Sequence, residues 1–460
     1  MLIQFSVTNF RSFYKKTTFS MLAGSDTTSL PSHVYRKIED TPLLRAAAIY
    51  GANASGKSNL VAAMAWSKNF ILLGNASPAL QPFRLDKECL SSPSEFEYIF
   101  YTNDTCYTYG FVVDSQKVHK EWLYAATNSG EETLYERETL ADGTVRVTLG
   151  ETAKSHAEEA QFLHFLAQIT RREQLFLTKA ILEKNEKMRL YEEAESWFGD
   201  SLLIVGAEQE FLPIDMLIGF SAKFQEQLGR SLKDFGLDIS FVRIGAEPLR
   251  NSELIPLDIR EKILANPPPK KSVQSVPATA TSPRCVILRE NSDDLFIGKI
   301  LTHRENRQGE DVRFELEDES DGTQRLMALY PLLLFLRGDL LEGGDHSRVV
   351  VIDELDRRLH TLLSQQFVKR GLGDSNDPLP TQLIFTTHDT NLLDLKLLRS
   401  DEIWFVEKDD FGATQISSLV EYNYPEGVNI EKGYLQGRFG GVPYLEELHL
   451  LTPEASHATS

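Results

Sequence analysis

The sequence predicts an α/β chain with a mixed central sheet, an antiparallel β lobe and a helical insertion. Three observations carry that prediction. Leu44-Arg-Ala-Ala-Ala-Ile-Tyr50 and Arg348-Val-Val-Val-Ile352 are short, mostly apolar runs, the mark of strands covered on both faces. Residues 95–150 are rich in Phe, Tyr, Val and Thr and are broken by Asn103-Asp104 and Asp142-Gly143, which reads as short strands joined by tight turns. Residues 151–236 change to Glu, Ala, Leu, Lys and Gln, with Phe162, Phe165, Leu166 and Ile169 at helical spacing.

In chain order, the first 25 residues alternate apolar and polar around Asn9-Phe-Arg-Ser-Phe13, as strands with a turn. Residues 1–150 form the first part of the sheet together with the β lobe, and 151–264 the helical insertion. Residues 265–283 hold five prolines and few bulky apolar groups, and are expected to be a linker. Residues 284–450 return to strands, with a helix at 323–337 and buried strands at 348–352 and 381–386. Residues 451–460 read as a loose tail.

The chain has 460 residues, 67 acidic and 48 basic, for a net charge of −19, and 42% of it is apolar. That composition excludes wholesale disorder. It also disfavours a protein that coats nucleic acid, because counterion release needs a basic surface. The longest uncharged apolar stretch, Leu326 to Leu336, is too short to span a bilayer. The amino-terminal segment alternates rather than showing a signal peptide, and three widely spaced cysteines fit reduced thiols. A cytoplasmic location without a membrane partner is expected.

Gly51-Ala-Asn-Ala-Ser-Gly56-Lys57-Ser58 fits G-x-x-x-x-G-K-[ST] at every fixed position. Glycines let backbone N–H groups curl around phosphates, and the helix that follows aims its positive end at them. The candidate nucleotide-binding set is Gly51, Asn53, Ala54, Ser55, Gly56, Lys57, Ser58 and Asn59. Lys57 would reach the β and γ phosphates of ATP, and Ser58 would ligate Mg²⁺. The strand 348–352 ends in Asp353-Glu354, where open α/β sheets bind ligands. Asp353 is expected to hold the metal with Ser58, and Glu354 to polarise the attacking water. The plainer alternative is a strand running into a solvated acidic loop. His388 ends a further apolar strand and would sense the γ-phosphate; alone, it would read as a surface or packed histidine. Glu319-Ser-Asp-Gly-Thr323 opens an apolar helix, so Ser320 and Gly322 mark either a second anion site or a capped helix start.

This order of elements resembles the ABC-type ATPase heads of the SMC/RecF/OLD group. It is most similar to the AAA-15-type ATPases of bacterial antiphage systems such as RloA/RloB, AbiL and PARIS. The resemblance runs from Phe10-Arg-Ser-Phe13 through Gly51–Ser58, Glu319–Thr323, Asp353-Glu-Leu-Asp356 and Thr387-His-Asp389 to Tyr434-Leu-Gln-Gly-Arg438-Phe-Gly440. It implies that Ser320 and Gly322 complete the ATP site of a second protomer, in a homodimer or higher oligomer, with Asp356 in the loop joining the two sites. By the same likeness Arg11 touches nucleotide or caps a surface strand, Arg438 is a phosphate contact or a turn residue, and Gln81 is the nearest candidate for the glutamine loop. The turn reads Ser-Asp-Gly-Thr where transporters carry Ser-Gly-Gly-Gln, which fits the SMC-like branch. His303 reads as a surface residue.

Only 72 residues follow His388, too few for the rest of the head and a fused TOPRIM nuclease. The resemblance therefore implies a separate nuclease or toxin effector, controlled when a phage-derived trigger is sensed, with 151–236 as the contact surface. Three other readings compete. A RecF/SMC-like DNA-repair ATPase needs a basic groove that the net charge does not indicate. A transporter ATPase needs a permease. A non-hydrolysing switch would leave Glu354 without a task.

Overall fold

The computed structural model describes residues 1–441 apart from 27, 39–40, 75–78, 128–129, 152–156, 183–188, 280–282, 292, 341–346, 376–377, 423 and 426. The expected tail, 451–460, lies outside the described residues.

The chain opens with β1 (Leu2–Thr8) and β2 (Thr17–Ser20), a ribbon of β3 (Val34–Tyr35) and β4 (Leu43–Leu44), and β5 (Ala46–Tyr50), which leads through Gly51–Gly56 into α1 (Lys57–Leu73). A meander follows: β6 (Ser94–Thr102), β7 (Thr105–Val113), β8 (Val118–Thr127), β9 (Gly130–Thr139) and β10 (Val145–Leu149). Next come α2 (Ala157–Ile169), α3 (Phe176–Leu182), α4 (Arg189–Ser196), β11 (Leu202–Val205), α5 (Ile214–Phe220) and α6 (Ala222–Asp234). Then β12 (Phe241–Pro248), α7 (Leu257–Ala265), β13 (Ser272–Val276), β14 (Cys285–Arg289), β15 (Leu295–Glu305) and β16 (Asp311–Glu315) precede α8 (Asp321–Leu336). The last elements are β17 (Arg348–Ile352), α9 (Thr361–Leu372), β18 (Thr381–Thr386), β19 (Ile403–Lys408), β20 (Thr414–Ser418) and α10 (Ile430–Leu435).

The fold is mixed α/β, as expected. The central sheet runs β11-β17-β18-β5-β19-β20, parallel except for β20. The central strands β5 and β17 are buried along their whole length, which is why Ala46–Tyr50 and most of Arg348–Ile352 read as apolar runs. Alternate side chains serve two cores: Ala47, Ile49, Val349 and Val351 face the layer holding α1 and the lobe, whereas Ala46, Ala48, Val350 and Ile352 face α6, α8 and α9. The lobe is a seven-stranded antiparallel sheet, β10-β9-β8-β7-β6-β1-β2. One amide links the two sheets. Gln382 Nε2 donates to the Leu2 and Leu44 carbonyls, both at 2.9 Å, and its Oε1 accepts from Leu2 N at 2.6 Å. The helical region is fastened to the lobe by Glu121, whose buried carboxylate accepts from Phe176 N (2.6 Å), Leu177 N (3.0 Å) and the hydroxyls of Tyr109 and Tyr135.

Three expectations are corrected. The stretch 151–264 is not wholly helical: β11 lies at the edge of the central sheet, and β12 belongs to a third sheet, β12-β15-β14-β13 with β16 on β15. A four-residue strand is too short for periodicity to reveal. The proline-rich stretch 265–283 contributes β13, in register with β14 from Ser272↔Arg289 to Val276↔Cys285; residues 280–282 lie outside the described set. His303 is fully buried on β15, stacked on Phe241 at 3.9 Å between ring centroids, with Nδ1 2.8 Å from Asp311 Oδ1.

Candidate active site at the carboxyl ends of the central strands

Parallel strands deliver their following loops to one side of a sheet. β5 delivers Gly51–Ser58, β17 delivers Asp353 and Glu354, β18 delivers His388, and β19 ends in Lys408. A cleft of about 500 Å³ there is lined by Asn53–Asn59, Glu354, His388 and Lys408.

The loop after β5 is held in shape from behind. Gly56 has φ +120°, and a Cβ on it would come 2.1 Å from Thr414 Oγ1, so no other residue fits. Thr414 Oγ1 in turn donates toward the Ser55 carbonyl (2.8 Å) and lies 2.7 Å from Ser12 Oγ. Ala54 takes the left-handed conformation, φ 64°. α1 starts at Gly56 with no side-chain cap, leaving its first-turn N–H groups for a ligand. Lys57 Nζ donates to the Gly51 (2.6 Å) and Ala52 (3.1 Å) carbonyls. Burial lowers its pKa to about 8, against the pull of Asp353, Asp356 and Glu354. Ser55 Oγ is buried with no partner among the described residues, a polar group waiting for an acceptor or donor.

Asp353 is buried, and its Oδ1 accepts from Ser58 Oγ at 3.2 Å and Thr386 Oγ1 at 2.6 Å. Thr386 Oγ1 also accepts from Glu354 N at 2.8 Å, so one hydroxyl sets both acids. Glu354, at φ 53°, is half-exposed to the cleft, with Arg357 Nη1 at 3.5 Å. The exposed His388 receives Asp356 on its backbone N–H at 3.3–3.4 Å. Partial desolvation of the ring and the nearby Lys57 cation lower the pKa of its imidazole, against the pull of Asp356, Glu354 and Asp353.

Arg11 reaches the same neighbourhood: Nη1 lies 3.4 Å from Asn59 Oδ1, and Asn59 Nδ2 donates to Ser12 Oγ at 2.7 Å. Ser320 and Gly322 are not brought into this cleft. Ser320 caps α8, accepting from Thr323 N at 3.2 Å. Gly322 is a close approach, since a Cβ there would come 3.0 Å from the Arg358 carbonyl in the loop after β17. Arg438 is an exposed residue in a glycine turn; the neighbouring Gly441 donates to Glu407 Oε2 at 3.3 Å and accepts from Tyr434 OH at 3.0 Å. Gln81 offers its carbonyl to Arg11 N at 2.7 Å.

Sequence reasoning missed two residues here. Thr386 was a strand-terminal hydroxyl beside the histidine and carried a faint signal. Lys408 became a site residue only once β19 lay beside β5. Gln209, after β11, does not line the cleft; its Oε1 accepts from Gly206 N at 3.1 Å.

Among solved structures the chain is similar to the SMC head domain from Thermotoga maritima, at 15% identity, covering 91% of this chain and 98% of that one with a TM-score of 0.34. It is similar to an SmcHead bound to the C-winged helix domain of ScpA, at 15% identity, 92% and 99% coverage and TM-score 0.33. A third is the recombination mediator protein RecF-ATPrS of the RecFOR pathway, at 15% identity, 91% and 98% coverage and TM-score 0.30. Among curated proteins there is no sequence match. Residues 46–394, which carry β5 with its phosphate loop, Asp353, Glu354 and His388, match the family model AAA_21, described as "AAA domain, putative AbiEii toxin, Type IV TA system", and the chain belongs to that family of AAA domains.

Proposed function

We propose that this chain is an ABC-type ATPase that binds ATP with Mg²⁺ in the cleft, hydrolyses it to ADP and phosphate, and shares each site between two protomers. The carrying observation is the convergence of Lys57, Ser58, Asp353, Glu354 and His388 at the ends of three neighbouring strands. The residues fit the ligands: the uncapped helix and Lys57 suit phosphate, and the Ser58–Asp353 pair would hold Mg²⁺, whose charge neutralises phosphate oxygens. Lys57 would exchange its loop carbonyls for phosphate oxygens. Glu354 would accept a hydrogen bond from the attacking water, and His388 would donate a ring N–H to the γ-phosphate.

Ser320 and Gly322 lie outside the cleft of their own chain, which supports their serving a second copy's nucleotide. On this reading ATP closes a homodimer or larger assembly in the cytoplasm. The family description reads "putative AbiEii toxin, Type IV TA system"; by the resemblance drawn from the sequence, the chain would control a separate nuclease or toxin effector when a phage-derived trigger is sensed.

Glu354→Gln tests the reading. Phosphate release should stop while ATP binding persists, and light scattering should report an ATP-dependent larger species; unchanged hydrolysis would sink the role of this carboxylate. Mixing Lys57→Ala chains with Ser320→Arg chains should restore turnover that neither has alone, and a mixture that stays inactive excludes shared sites. Tagged Glu354→Gln protein drawn from its host with and without ATP should bring a nuclease or toxin. Capture of DNA or repair factors would favour the RecF/SMC-like alternative.

A further inference from the structure

The third sheet grips the turn that opens α8 by a buried carboxylate. Glu319 is 7% exposed and directly precedes Ser320. Its Oε1 accepts from Arg304 Nη1 at 2.6 Å, its Oε2 accepts from Arg304 Nη2 at 2.7 Å, and Oε1 also accepts from the Thr302 hydroxyl. Both partners stand on β15, and neither lines the cleft. Arg304 is itself held, its guanidinium lying 5.0 Å over the centre of the Phe314 ring of β16. The backbone of Glu319 is tied as well: its N–H donates to the Leu316 carbonyl at 3.1 Å, and its carbonyl accepts from Gln324 Nε2 at 2.9 Å. A two-pronged charged pair fixes direction as well as distance, which a single contact does not. Starting the helix does not require that pair, because Ser320 already caps α8. The grip on Glu319 adds precision to where the Ser320 hydroxyl and the first N–H groups of α8 stand.

We propose that Arg304 is a positioning residue for the nucleotide of a second copy: it holds Glu319, and through it the Ser320–Gly322 turn, where that turn meets the other copy's phosphates. This rests on the shared-site reading above. Arg304 touches no nucleotide and acts through the turn alone. A misplacement of about 1 Å costs a catalytic contact about a hundredfold in rate, so loss of the fork is read in turnover. Binding in the chain's own cleft does not depend on it, because Lys57, Ser58 and Asp353 stand on other elements.

The test is complementation between full-length chains. Arg304→Gln should lower kcat about 10- to 100-fold, while calorimetry shows unchanged affinity for ADP, which the phosphate loop alone can hold. Arg304→Lys, which keeps the charge without the fork, should lie between Arg304→Gln and the parent. Mixing Arg304→Gln chains with Lys57→Ala chains should restore turnover, because one supplies a sound cleft and the other a sound turn. Mixing them with Ser320→Arg chains should not, because both turns are then defective. Arg289→Gln, which breaks an ion pair elsewhere on the same sheet, should leave turnover unchanged. Turnover at the parent's rate in Arg304→Gln overturns the proposal, as does rescue by Ser320→Arg chains or an equal fall in Arg289→Gln. If Arg304→Gln fails to fold, Arg304→Lys decides by the same two mixtures. An inactive mixture of Lys57→Ala with Ser320→Arg chains would remove the shared site and this proposal with it. Success of that mixture without rescue of Arg304→Gln by Lys57→Ala chains overturns this proposal alone.

Discussion

The two ends of the central sheet are both rich in charge, yet they are built on opposite rules. At the amino ends of β5, β18 and β19, buried ions are closed off. Every guanidinium nitrogen of Arg45 donates, to Ser32, Leu372 and Thr381, and every one of Arg399 donates, to Asp401, Ser29 and Asp26. His33 Nδ1 lies 2.9–3.0 Å from both oxygens of the fully buried Glu402. At the carboxyl ends, Ser55 Oγ lacks a partner among the described residues, and Ala54, Glu354, Arg358 and Arg11 all hold left-handed backbone. An unpartnered hydroxyl and left-handed backbone beside the cleft suit a place where a ligand is to be bound, although Ser347 Oγ and Leu30 show the same features singly near the amino ends. The closed end secures the fold, and the open end is prepared for chemistry.

Substitutions should separate the ends. The largest effect is expected from Arg399→Ala, which leaves Asp401 buried without its cation and should cost about 3–5 kcal/mol in urea unfolding. ATP affinity should not change, and a loss of affinity would mean the ends are coupled. Glu354→Gln should do the reverse, lowering turnover about 10²–10³-fold with the unfolding midpoint unmoved.

Lys57 gives a pH test. Its folded pKa, about 8, lies below its unfolded value, so between about pH 8 and 10.5 the unfolded chain holds a proton that the folded chain has lost. Stability without nucleotide should therefore rise across that window, and thermal unfolding of Lys57→Met should lack the rise. Lys408→Ala should raise the KM for ATP about three- to tenfold with kcat kept, as a binding contact does. Steady-state kinetics showing a fall in kcat alone would assign Lys408 to catalysis instead. The smallest effect, about 1 kcal/mol of added stability, is expected for Ala54→Gly, which relieves the left-handed alanine. Chemical denaturation would detect it.

What was legible in the sequence was local. Gly51–Ser58 and Asp353-Glu354 are contiguous, and their chemistry dictates their residue types, so fold class and the core of the site could be read directly. The rest depends on residues far apart in the chain. Lys408 and Thr386 matter because β19 and β18 flank β5, which no short window of sequence records. β11 was hidden because it is four residues long, inside a stretch whose composition is helical. His303 misled because its polar neighbours in sequence are not its neighbours in space, where Phe241 covers it.

The placing of β5 between β18 and β19 also sets the timing of folding. During synthesis the strand bearing the phosphate loop leaves the ribosome about 330 residues before either flanking strand, roughly 15–70 s at typical elongation rates. Throughout that interval Ala46–Tyr50 has no lateral partner in its sheet, and the lobe, with its local hairpins, is the part able to form first. The candidate nucleotide site is thus among the last parts of the molecule to be assembled, and a chain stopped short of residue 381 would carry the phosphate-loop sequence without either strand that flanks β5.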